Sequence, residues 1–408
     1  MEYIVYSHII DHLEIHGILA DHQHGFRRQR SCEVQLVNTI EEVTRSTDNR
    51  QQIYMLTLDF SKAFDTVSHQ RLLQKMHHYG IKGNILKCVS GWLTQRHQTV
   101  CVDGEESINK SVRSGVLQGT VLGLLYFLIY INDMGSSRTS SLRLFADDSL
   151  LYRSINCIED TTKFQENLTE LVQWSKTWQM TFHPAKCYIL RVPRKRTPII
   201  VNYHMMGYQL ETVHHYPYFG VELSEDLGWE IHKANRTLGF LRRNIYRCPQ
   251  DIKEQAYKSL VRPHLEYASV VWDPYRQKHI NNLEMVQRRS GRFVTSTYSR
   301  EPGTVTKIMQ DFKWQTLETR RKAARLILFH KAINGEAAVT IPEYVRKPPR
   351  NTRQYHQNRF SRLSTSTDAY QDSFIPKTIA DWNSLPSDVI QTPTTDCFRE
   401  AVWRHLTP

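Results

Sequence analysis

Short apolar runs interrupted by aspartates mark two stretches of the chain. In residues 141–152, SLRLFADDSLLY, two apolar runs predict two short strands with Asp147 and Asp148 between them. Carboxylates are poor strand formers but fit a tight hairpin turn, from which both can project. Upstream, the run YMLTL at residues 54–58 predicts a buried strand, and Asp59 stands at its carboxyl end. The pattern therefore predicts three aspartates carried by the ends of strands.

Helical spacing of apolar residues predicts much of the remaining chain. It predicts helices at residues 3–19, from about Ser31, and at 69–79, 82–95, 121–134 and 158–179. Gly80 and Gly83 are expected to end one helix and to begin the next. From Lys233 onward, three basic helical patterns with embedded aromatics follow at 233–247, 254–275 and 280–294. Residues 346–366 are rich in Arg, Asn, Thr and Ser, and they predict an exposed linker.

The composition indicates a globular protein with an anionic partner. Of 408 residues, 40% are hydrophobic and 23% are charged, and the length suits two to four domains. The net charge of +12 favours nucleic acid first and a membrane surface second. The most apolar run, residues 121–131, is too short to span a bilayer. The seven cysteines are scattered and form no Cys-x-x-Cys pair, which disfavours a zinc site. Their odd number and the absence of a signal-peptide pattern predict an intracellular protein.

The three aspartates suggest metal chemistry. Two adjacent carboxylates repel each other and raise each other's pKa unless a cation lies between them. Hard divalent cations such as Mg²⁺ take oxygen ligands of this kind. Asp147 and Asp148 alone are more typical of an acidic surface turn. The third carboxylate, Asp59, favours a site for two metal ions, which would clamp the attacking and leaving oxygens of a phosphoryl transfer.

The same stretches carry a family resemblance. DFSKAFDTVSH at 59–69 and FADD at 145–148 resemble motifs of reverse transcriptases, in particular those of non-LTR (LINE-type), jockey-like retrotransposons. The resemblance implies an α+β, right-hand polymerase fold: fingers and palm with an antiparallel palm sheet at 1–228, a helical thumb at 229–300, and a helical C-terminal segment at 301–408. It implies an RNA-directed DNA polymerase in which Asp59, Asp147 and Asp148 hold two Mg²⁺ ions, with Mn²⁺ as a substitute.

The resemblance also implies the partners, which are an RNA template, a DNA primer and deoxynucleoside triphosphates. It implies no membrane partner, and a nuclear location if the enzyme is active. HGFRRQRSCEVQL at 24–36 is similar to the fingers motif, in which Arg27 and Arg30 would hold the triphosphate. On the residues alone, an arginine-rich turn before a helix suits a triphosphate or is a solvated loop. Phe64 would abut the sugar and exclude a 2′-hydroxyl, and its alternative is a core position.

Further motifs follow in the order of the family. GVLQGTVLG at 115–123 resembles the loop in which Gln118 and Gly119 contact the nucleotide or template. WQMTFHPAKC at 178–187 matches the motif in which Lys186 acts as general acid toward pyrophosphate, although a lone lysine is usually a surface residue. YFGV at 218–221 is similar to the primer-grip hairpin. The thumb would grip phosphates through Arg242, Arg243, Arg288 and Arg289, and the alternative is a solvated helical bundle. The basic run at 191–196 is either a phosphate contact or a solvated loop.

Three departures from the family favour a rival interpretation. The chain begins inside the fingers, Leu117 stands where the family has Pro, and residues are missing from the thumb after His232. These features predict a truncated, poor polymerase, because misplacement of reacting groups can cost about a hundredfold in rate. The rival is an inactive relic that keeps the fold and at most binds nucleic acid. A maturase of the group II intron type is disfavoured by the thumb sequence.

Overall fold

The chain divides into two compact units. The computed structural model describes residues 2–94, 96–135, 139–193, 197–225, 232–299, 301–347 and 359–407. One unit comprises Met1–Cys32 and Arg50–Tyr216, and the other comprises Glu33–Asn49 and Pro217–Pro408. A helix from early in the sequence thus belongs to the unit that contains the C-terminal half. The domain boundaries at 228 and 300 stay predictions.

Both units contain several helices. In chain order the described helices are α1 (Glu2–Ile15), α2 (Cys32–Asp48), α3 (His69–His78), α4 (Gly83–Leu93), α5 (Val121–Ile131), α6 (Ile158–Thr177), α7 (His232–Asn244), α8 (Gln250–Ala256), α9 (Pro263–Glu266), α10 (Ser269–Trp272), α11 (Gln277–Thr295), α12 (Thr304–Asp311), α13 (Leu317–Ile333), α14 (Asp368–Gln371), α15 (Phe374–Asn383), α16 (Ser387–Ile390) and α17 (Thr395–Leu406). Short 3₁₀ helices span Ala63–Thr66 and Pro184–Lys186, and a π-helical turn at Tyr257–Val261 follows α8. No helix in the described ranges is long and apolar enough to cross a membrane.

The strands form one five-stranded sheet and several two-stranded pairs. They are β1 (Gln52–Leu58), β2 (His97–Gln98), β3 (Cys101–Val102), β4 (Glu105–Glu106), β5 (Lys110–Ser111), β6 (Ser141–Phe145), β7 (Asp148–Ile155), β8 (Tyr188–Val192), β9 (His204–Met205), β10 (Tyr208–Gln209), β11 (Glu211–Val213), β12 (His215–Tyr218) and β13 (Val221–Ser224). The large sheet has the order β11-β8-β1-β7-β6. Its pairs are antiparallel except β11 with β8. The predicted α+β fold with an antiparallel palm sheet is confirmed, with one parallel strand at its edge.

The core of the first unit lies around β1 and α5. Every residue of β1 is buried, because the strand is central in the sheet and apolar along its length. Helix α5 is apolar on all sides and almost wholly buried, as such helices must be. The Thr120 hydroxyl accepts a hydrogen bond from the Gly123 N–H and caps this helix. The helices predicted at 69–79, 82–95 and 158–179 are confirmed as α3, α4 and α6.

One structural prediction for the second unit is wrong. The pattern at 254–275 is not one helix but four short pieces. Pro263 has no N–H to donate to the helical hydrogen-bond pattern, and Ala268 has a left-handed φ of 50° that separates α9 from α10. In the linker predicted at 346–366, the described residues form no helix or strand and are exposed or half-buried, and Phe360 packs edge-to-face on Phe329. Residues 348–358 of that stretch lie outside the described residues, as do 194–196 of the basic run and 226–231 before the thumb.

Candidate active site

The register of the large sheet brings the three aspartates to one end of it. Leu58 of β1 pairs with Ser149 of β7, so the next position on each strand places Asp59 opposite Asp148. Phe145 pairs with Asp148 across the β6–β7 hairpin, and Asp147 therefore sits in its two-residue turn. The turn begins at Ala146, whose φ of 54° is left-handed. The three carboxyl groups thus come from two neighbouring strands and the turn that joins one of them to β6.

The pKa values of Asp147 and Asp148 are raised in this site. Partial loss of hydration at the crowded strand end, followed by the charges of Asp147 and Asp59, raises the pKa of Asp148 to about 6. Loss of hydration and the charge of Asp59 also raise the pKa of Asp147, against a hydrogen bond with its own backbone that lowers it. Both aspartates therefore gain from a nearby cation, which would favour their charged forms.

The donor set suits a divalent metal, although it is not a closed ligand cluster. Carboxylate oxygens are the ligands that hard cations such as Mg²⁺ take. Among the residues that the structure describes, no three His, Cys, Asp or Glu side chains lie together in a group that could hold a metal ion as they stand. Repulsion among Asp59, Asp147 and Asp148 favours side-chain orientations that separate the charges. A bound cation would remove that repulsion, so the residues fit the metal by chemistry and by position along the sheet.

Lys186 lies beside the first aspartate. Its Nζ atom is 3.8 Å from Oδ2 of Asp59, with 64% and 41% of the two side chains exposed. Backbone hydrogen bonds hold the loop in place, with the His183 N–H donating to the Asp59 carbonyl at 2.8 Å and the Ser61 N–H to the Thr181 carbonyl at 2.8 Å. An exposed ion pair of this length is weak, so the ammonium group remains available to a ligand.

Cys187 is a contact of this site that sequence reasoning missed. The Asp59 N–H donates to the buried Cys187 Sγ at 3.4 Å, and burial raises the pKa of this thiol to about 11. The neutral thiol therefore orients the backbone of Asp59 without adding charge. Cys187 closes the WQMTFHPAKC stretch at 178–187, and its place directly after Lys186 was the signal in the sequence.

The fingers loop runs along the edge strand of the sheet. The His24 N–H donates to the Leu144 carbonyl, and the Leu144 N–H donates to the His22 carbonyl, each at 2.8 Å. A Cβ atom on Gly25 would lie 2.6 Å from the backbone nitrogen of Ala146, so only glycine fits there without a shift. Gly25 thus lets the loop lie directly against the turn that carries Asp147.

The two arginines of the fingers motif are bound to protein groups. Arg27 has 7% of its side chain exposed, and its Nε and Nη2 atoms donate to the two carboxylate oxygens of Glu14 at 2.9 and 2.7 Å. Its Nη1 atom donates to the Ala20 carbonyl. Arg30 donates to the carbonyl and the carboxylate of Asp21, which is almost fully exposed. Arg27 therefore fixes the loop, whereas Arg30 can exchange its exposed partner for a triphosphate more easily.

The glycine-rich loop depends on a glycine that the sequence analysis did not single out. A Cβ atom on Gly123 would lie 1.9 Å from the carbonyl oxygen of Leu117. Gly115, with φ of 91°, is buried against the backbone of Asp65 and not open to a nucleotide. Gln118 and Gly119 are exposed, and Gly119 has φ of 79°. The loop thus presents these two residues to solvent while its other glycines pack tightly.

Phe64 is half-buried. Its ring stacks on that of Phe127 with a centroid distance of 4.2 Å and an interplanar angle of 21°. Its carbonyl accepts from the Val116 N–H at 2.9 Å, which joins this segment to the glycine-rich loop. One face is therefore supported by the core. Both interpretations of Phe64, sugar contact and core residue, remain compatible with this position.

The four arginines of the predicted thumb are exposed on two helices of the second unit. Arg242 and Arg243 lie on α7, and Arg288 and Arg289 lie on α11. Arg289 Nη1 is 3.5 Å from Oδ1 of Asn235, which places the two helices side by side. The charges are thus arranged along adjacent helices at the surface of that unit. The hairpin predicted at YFGV is also present, as β12 and β13.

Two features of the first unit define the class of protein. Three carboxylates lie at one end of the central strands of an antiparallel sheet, and a glycine-rich loop leads into a buried helix. These are the parts of a palm of a nucleotidyl-transferring polymerase. The chain belongs to the family described as reverse transcriptase (RNA-dependent DNA polymerase), which matches residues 2–223. Proteins similar to this chain include RNA-directed DNA polymerases of the non-LTR retrotransposons jockey, BS and X-element.

The similar proteins are longer than this chain. The chain is 26% identical over 371 residues to a probable RNA-directed DNA polymerase from transposon BS of Drosophila melanogaster, covering 81% of this chain and 39% of that protein. It is 25% identical over 314 residues to the RNA-directed DNA polymerase from mobile element jockey of the same species, covering 72% and 34%. Apo telomerase from Candida tropicalis is similar in structure, with a TM-score of 0.41, 11% identity and coverage of 84% of this chain and 59% of that chain. The chain thus spans little more than a third of the curated relatives.

Proposed function

We propose that this chain carries out template-directed DNA synthesis on RNA. The observation that carries the proposal is the strand register, which brings Asp59, Asp147 and Asp148 to one end of the palm sheet. The raised pKa values of Asp147 and Asp148 support it, because a cation between these carboxyl groups would favour their charged forms. The membership of residues 2–223 in the reverse transcriptase family supports the reaction type.

Asp59, Asp147 and Asp148 would hold two divalent ions, Mg²⁺ or in its place Mn²⁺. When bound, these ions supply activation of the primer 3′-hydroxyl and stabilisation of the departing pyrophosphate. Lys186, whose Nζ atom lies 3.8 Å from Oδ2 of Asp59, would act as the general acid toward the leaving pyrophosphate. Phe64 would meet the sugar of the incoming nucleotide with its free face.

The other predicted residues would orient the substrates. Arg30 would exchange Asp21 for the triphosphate, while Arg27 keeps the loop in place through Glu14. The exposed Gln118 and Gly119 would contact the nucleotide or template. The exposed arginines of α7 and α11 would bind the phosphates of the template–primer duplex.

Primer extension tests the proposal. An oligo(dT) primer on a poly(rA) template is incubated with the purified chain, dTTP and Mg²⁺ or Mn²⁺, and the products are resolved by length. Extension that needs the template and the metal, and that is absent with dGTP in place of dTTP, is expected. Tight binding of the template–primer without extension in either metal would contradict the proposal and support a relic that only binds nucleic acid.

A further inference from the structure

The second unit contains a small cavity whose lining is unlike that of a core void. Its volume is about 140 Å³, and it is lined by Tyr257, Lys258, Arg262, Gln287, Phe312, Lys313, Trp314, Gln315 and Arg320. The lining thus combines three aromatic rings with four cationic side chains, and no acidic side chain is among these described residues. None of the family motifs covers it, because it lies between the end of α8 and the segment that joins α12 to α13.

The aromatic wall of the cavity is held rigidly. Tyr257 stacks on Trp314 with a distance of 4.4 Å between ring centroids and an interplanar angle of 26°. The ring centroid of Phe312 lies 5.1 Å from that of Trp314. The Tyr257 hydroxyl donates to Gln287 Oε1 at 3.0 Å, and Gln287 Nε2 donates to the Gln315 carbonyl at 2.9 Å. Tyr257 is buried, whereas Phe312 and Trp314 are half-buried and line the cavity. The rings thus form a fixed aromatic cluster, and the parts of Phe312 and Trp314 that stay accessible lie among the cationic side chains of the lining.

The cationic rim carries an excess of positive charge. Lys258 pairs with Glu254 at 2.6 Å, and Arg262 and Arg320 share Glu266. Arg262 uses only its Nε atom in that pair, at 3.5 Å, so its two terminal nitrogens are left for another acceptor. Lys313 is exposed and has no ion pair in the described part of the chain. Four cations thus face two carboxylates, and the surplus lies beside the aromatic wall.

We propose that this cavity binds one unpaired nucleotide of a single-stranded nucleic acid. The base would stack on Trp314 and Phe312, and its phosphate would bind Lys313 and the free nitrogens of Arg262. Aromatic faces beside a basic rim are the means by which proteins hold single strands without sequence preference. The volume is close to the roughly 150 Å³ of a cavity that admits benzene, so one ring enters but a stacked pair does not. The site is a contact for the unpaired template or product strand.

Binding is measured by fluorescence anisotropy with 5′-fluorescein oligo(rU), in EDTA and without nucleotides. Trp314→Leu is expected to weaken binding about tenfold, the effect of losing one stacked base. Lys313→Gln should weaken binding and reduce the slope of log affinity against log salt by about 0.7, the value for one phosphate of a single strand. Lys307→Gln, which removes an exposed lysine of α12 outside the cavity, is the matched control and should leave both unchanged.

Two further measurements separate stacking from folding and from general charge. Trp314→Phe keeps an aromatic face and should retain most of the affinity that Trp314→Leu loses. Oligo(rU) carrying 5-iodouridine should crosslink to Phe312 or Trp314. The proposal is overturned by unchanged affinity in Trp314→Leu, by an equal loss in Trp314→Phe, or by equal effects of the lysine substitutions at 313 and 307. An equal loss on a blunt RNA–DNA duplex would also overturn it. Because no step needs the three aspartates, these results are independent of polymerase activity.

Discussion

Glu41 should make the stability of the second unit depend on pH. This residue of α2 is buried, and its Oε2 atom accepts hydrogen bonds from the Ser373 hydroxyl at 3.0 Å and from the Ile375 N–H at 3.2 Å. The Oε1 atom is buried and has no hydrogen-bond partner among the described residues. A charged carboxylate in this position is costly, because one of its oxygens has lost water without a replacement.

The magnitude follows from the shift in protonation. Burial raises the pKa of Glu41 from its ordinary value of 4.5 to about 7, against the smaller lowering effects of Ile375, Ser373 and Arg45. Between these two pH values the folded state binds a proton that the unfolded state has lost. Stability contributed by this proton is therefore fully present below about pH 4.5 and is lost as the pH rises through about 7. The loss is about 3 kcal/mol, from roughly 1.4 kcal/mol per pH unit.

Hydrogen exchange measures this effect where it occurs. The free energy of opening of α2 is obtained by mass spectrometry from peptides that cover it, over a series of pH values from about 4 to 8.5, with correction for the intrinsic exchange rate. Glu41→Gln removes the titration, so the variant should lack about 3 kcal/mol of the decline seen in the wild-type protein. Comparing the two proteins cancels the contributions of all other titrating groups.

Glu343→Gln is the matched control. Glu343 and Glu41 line one cavity beside α2, but the carboxyl group of Glu343 is exposed. It should leave the decline as it is in the wild type. Equal pH dependence in Glu41→Gln and the wild-type protein would refute the reasoning. The same would follow if Glu343→Gln removed as much of the decline as Glu41→Gln.

Three further outcomes are expected. Gly123→Ala should lower thermal stability and extension activity strongly, since its Cβ would lie 1.9 Å from the carbonyl oxygen of Leu117. The control Gly91→Ala, whose Cβ would meet no atom of the described residues within 4 Å, should be neutral or slightly stabilising, and equal melting temperatures of the two variants would contradict this. Phe64→Val should increase ribonucleotide incorporation relative to deoxynucleotides in single-nucleotide extension, and an unchanged ratio would make the residue a core position. Arg242→Ala with Arg243→Ala should weaken template–primer binding and reduce its log–log salt slope by about two, one for each phosphate contact, and an identical slope would place both residues on a solvated face.

The local structure of the palm could be predicted because each element carries its own pattern. The apolar runs around Asp59 and around Asp147 are strands and a hairpin as predicted, and the helix predicted at 121–134 is present but ends at Ile131, where the apolar run ends. Order along a strand then fixes which residues lie opposite one another once the pairing is known. The sequence could not supply the pairing itself, so the position of Asp59 opposite Asp148 is a finding of the structure.

The place of α2 could not be predicted from local patterns. Its polar residues would ordinarily face solvent, but in the second unit they bind the C-terminal segment. Asn38 donates to the Ala338 carbonyl at 3.0 Å, and Asp48 accepts from the backbone N–H groups of Ser366 and Thr367 at 2.8 and 2.7 Å. These contacts join residues about 300 positions apart, which periodicity cannot detect. They also give residues 301–408 a structural role, for which their sequence offered no indication.

The helix predicted at 254–275 contained a visible contrary signal, Pro263, but the helical spacing of its apolar residues outweighed this signal in the prediction. Pro263 within a helical pattern lacks the N–H that the helix needs, and the π-helical turn ends just before it. Arg27 illustrates a different limit, because a buried arginine bound to Glu14 and a phosphate-binding arginine have the same sequence pattern. Only the positions of the partner groups separate the two roles.

Primer extension by Asp147→Asn tests the central claim most directly. The amide keeps the shape of the side chain but removes the charge that would hold a metal ion, so extension of oligo(dT) on poly(rA) should fall by a factor on the order of a hundred or more. Folding and template–primer binding should be nearly unchanged. Asp65→Asn, in an exposed aspartate of the DFSKAFD stretch, is the control and should extend like the wild type. Equal extension by Asp147→Asn and the wild-type protein would contradict the assignment of the reaction to the three aspartates.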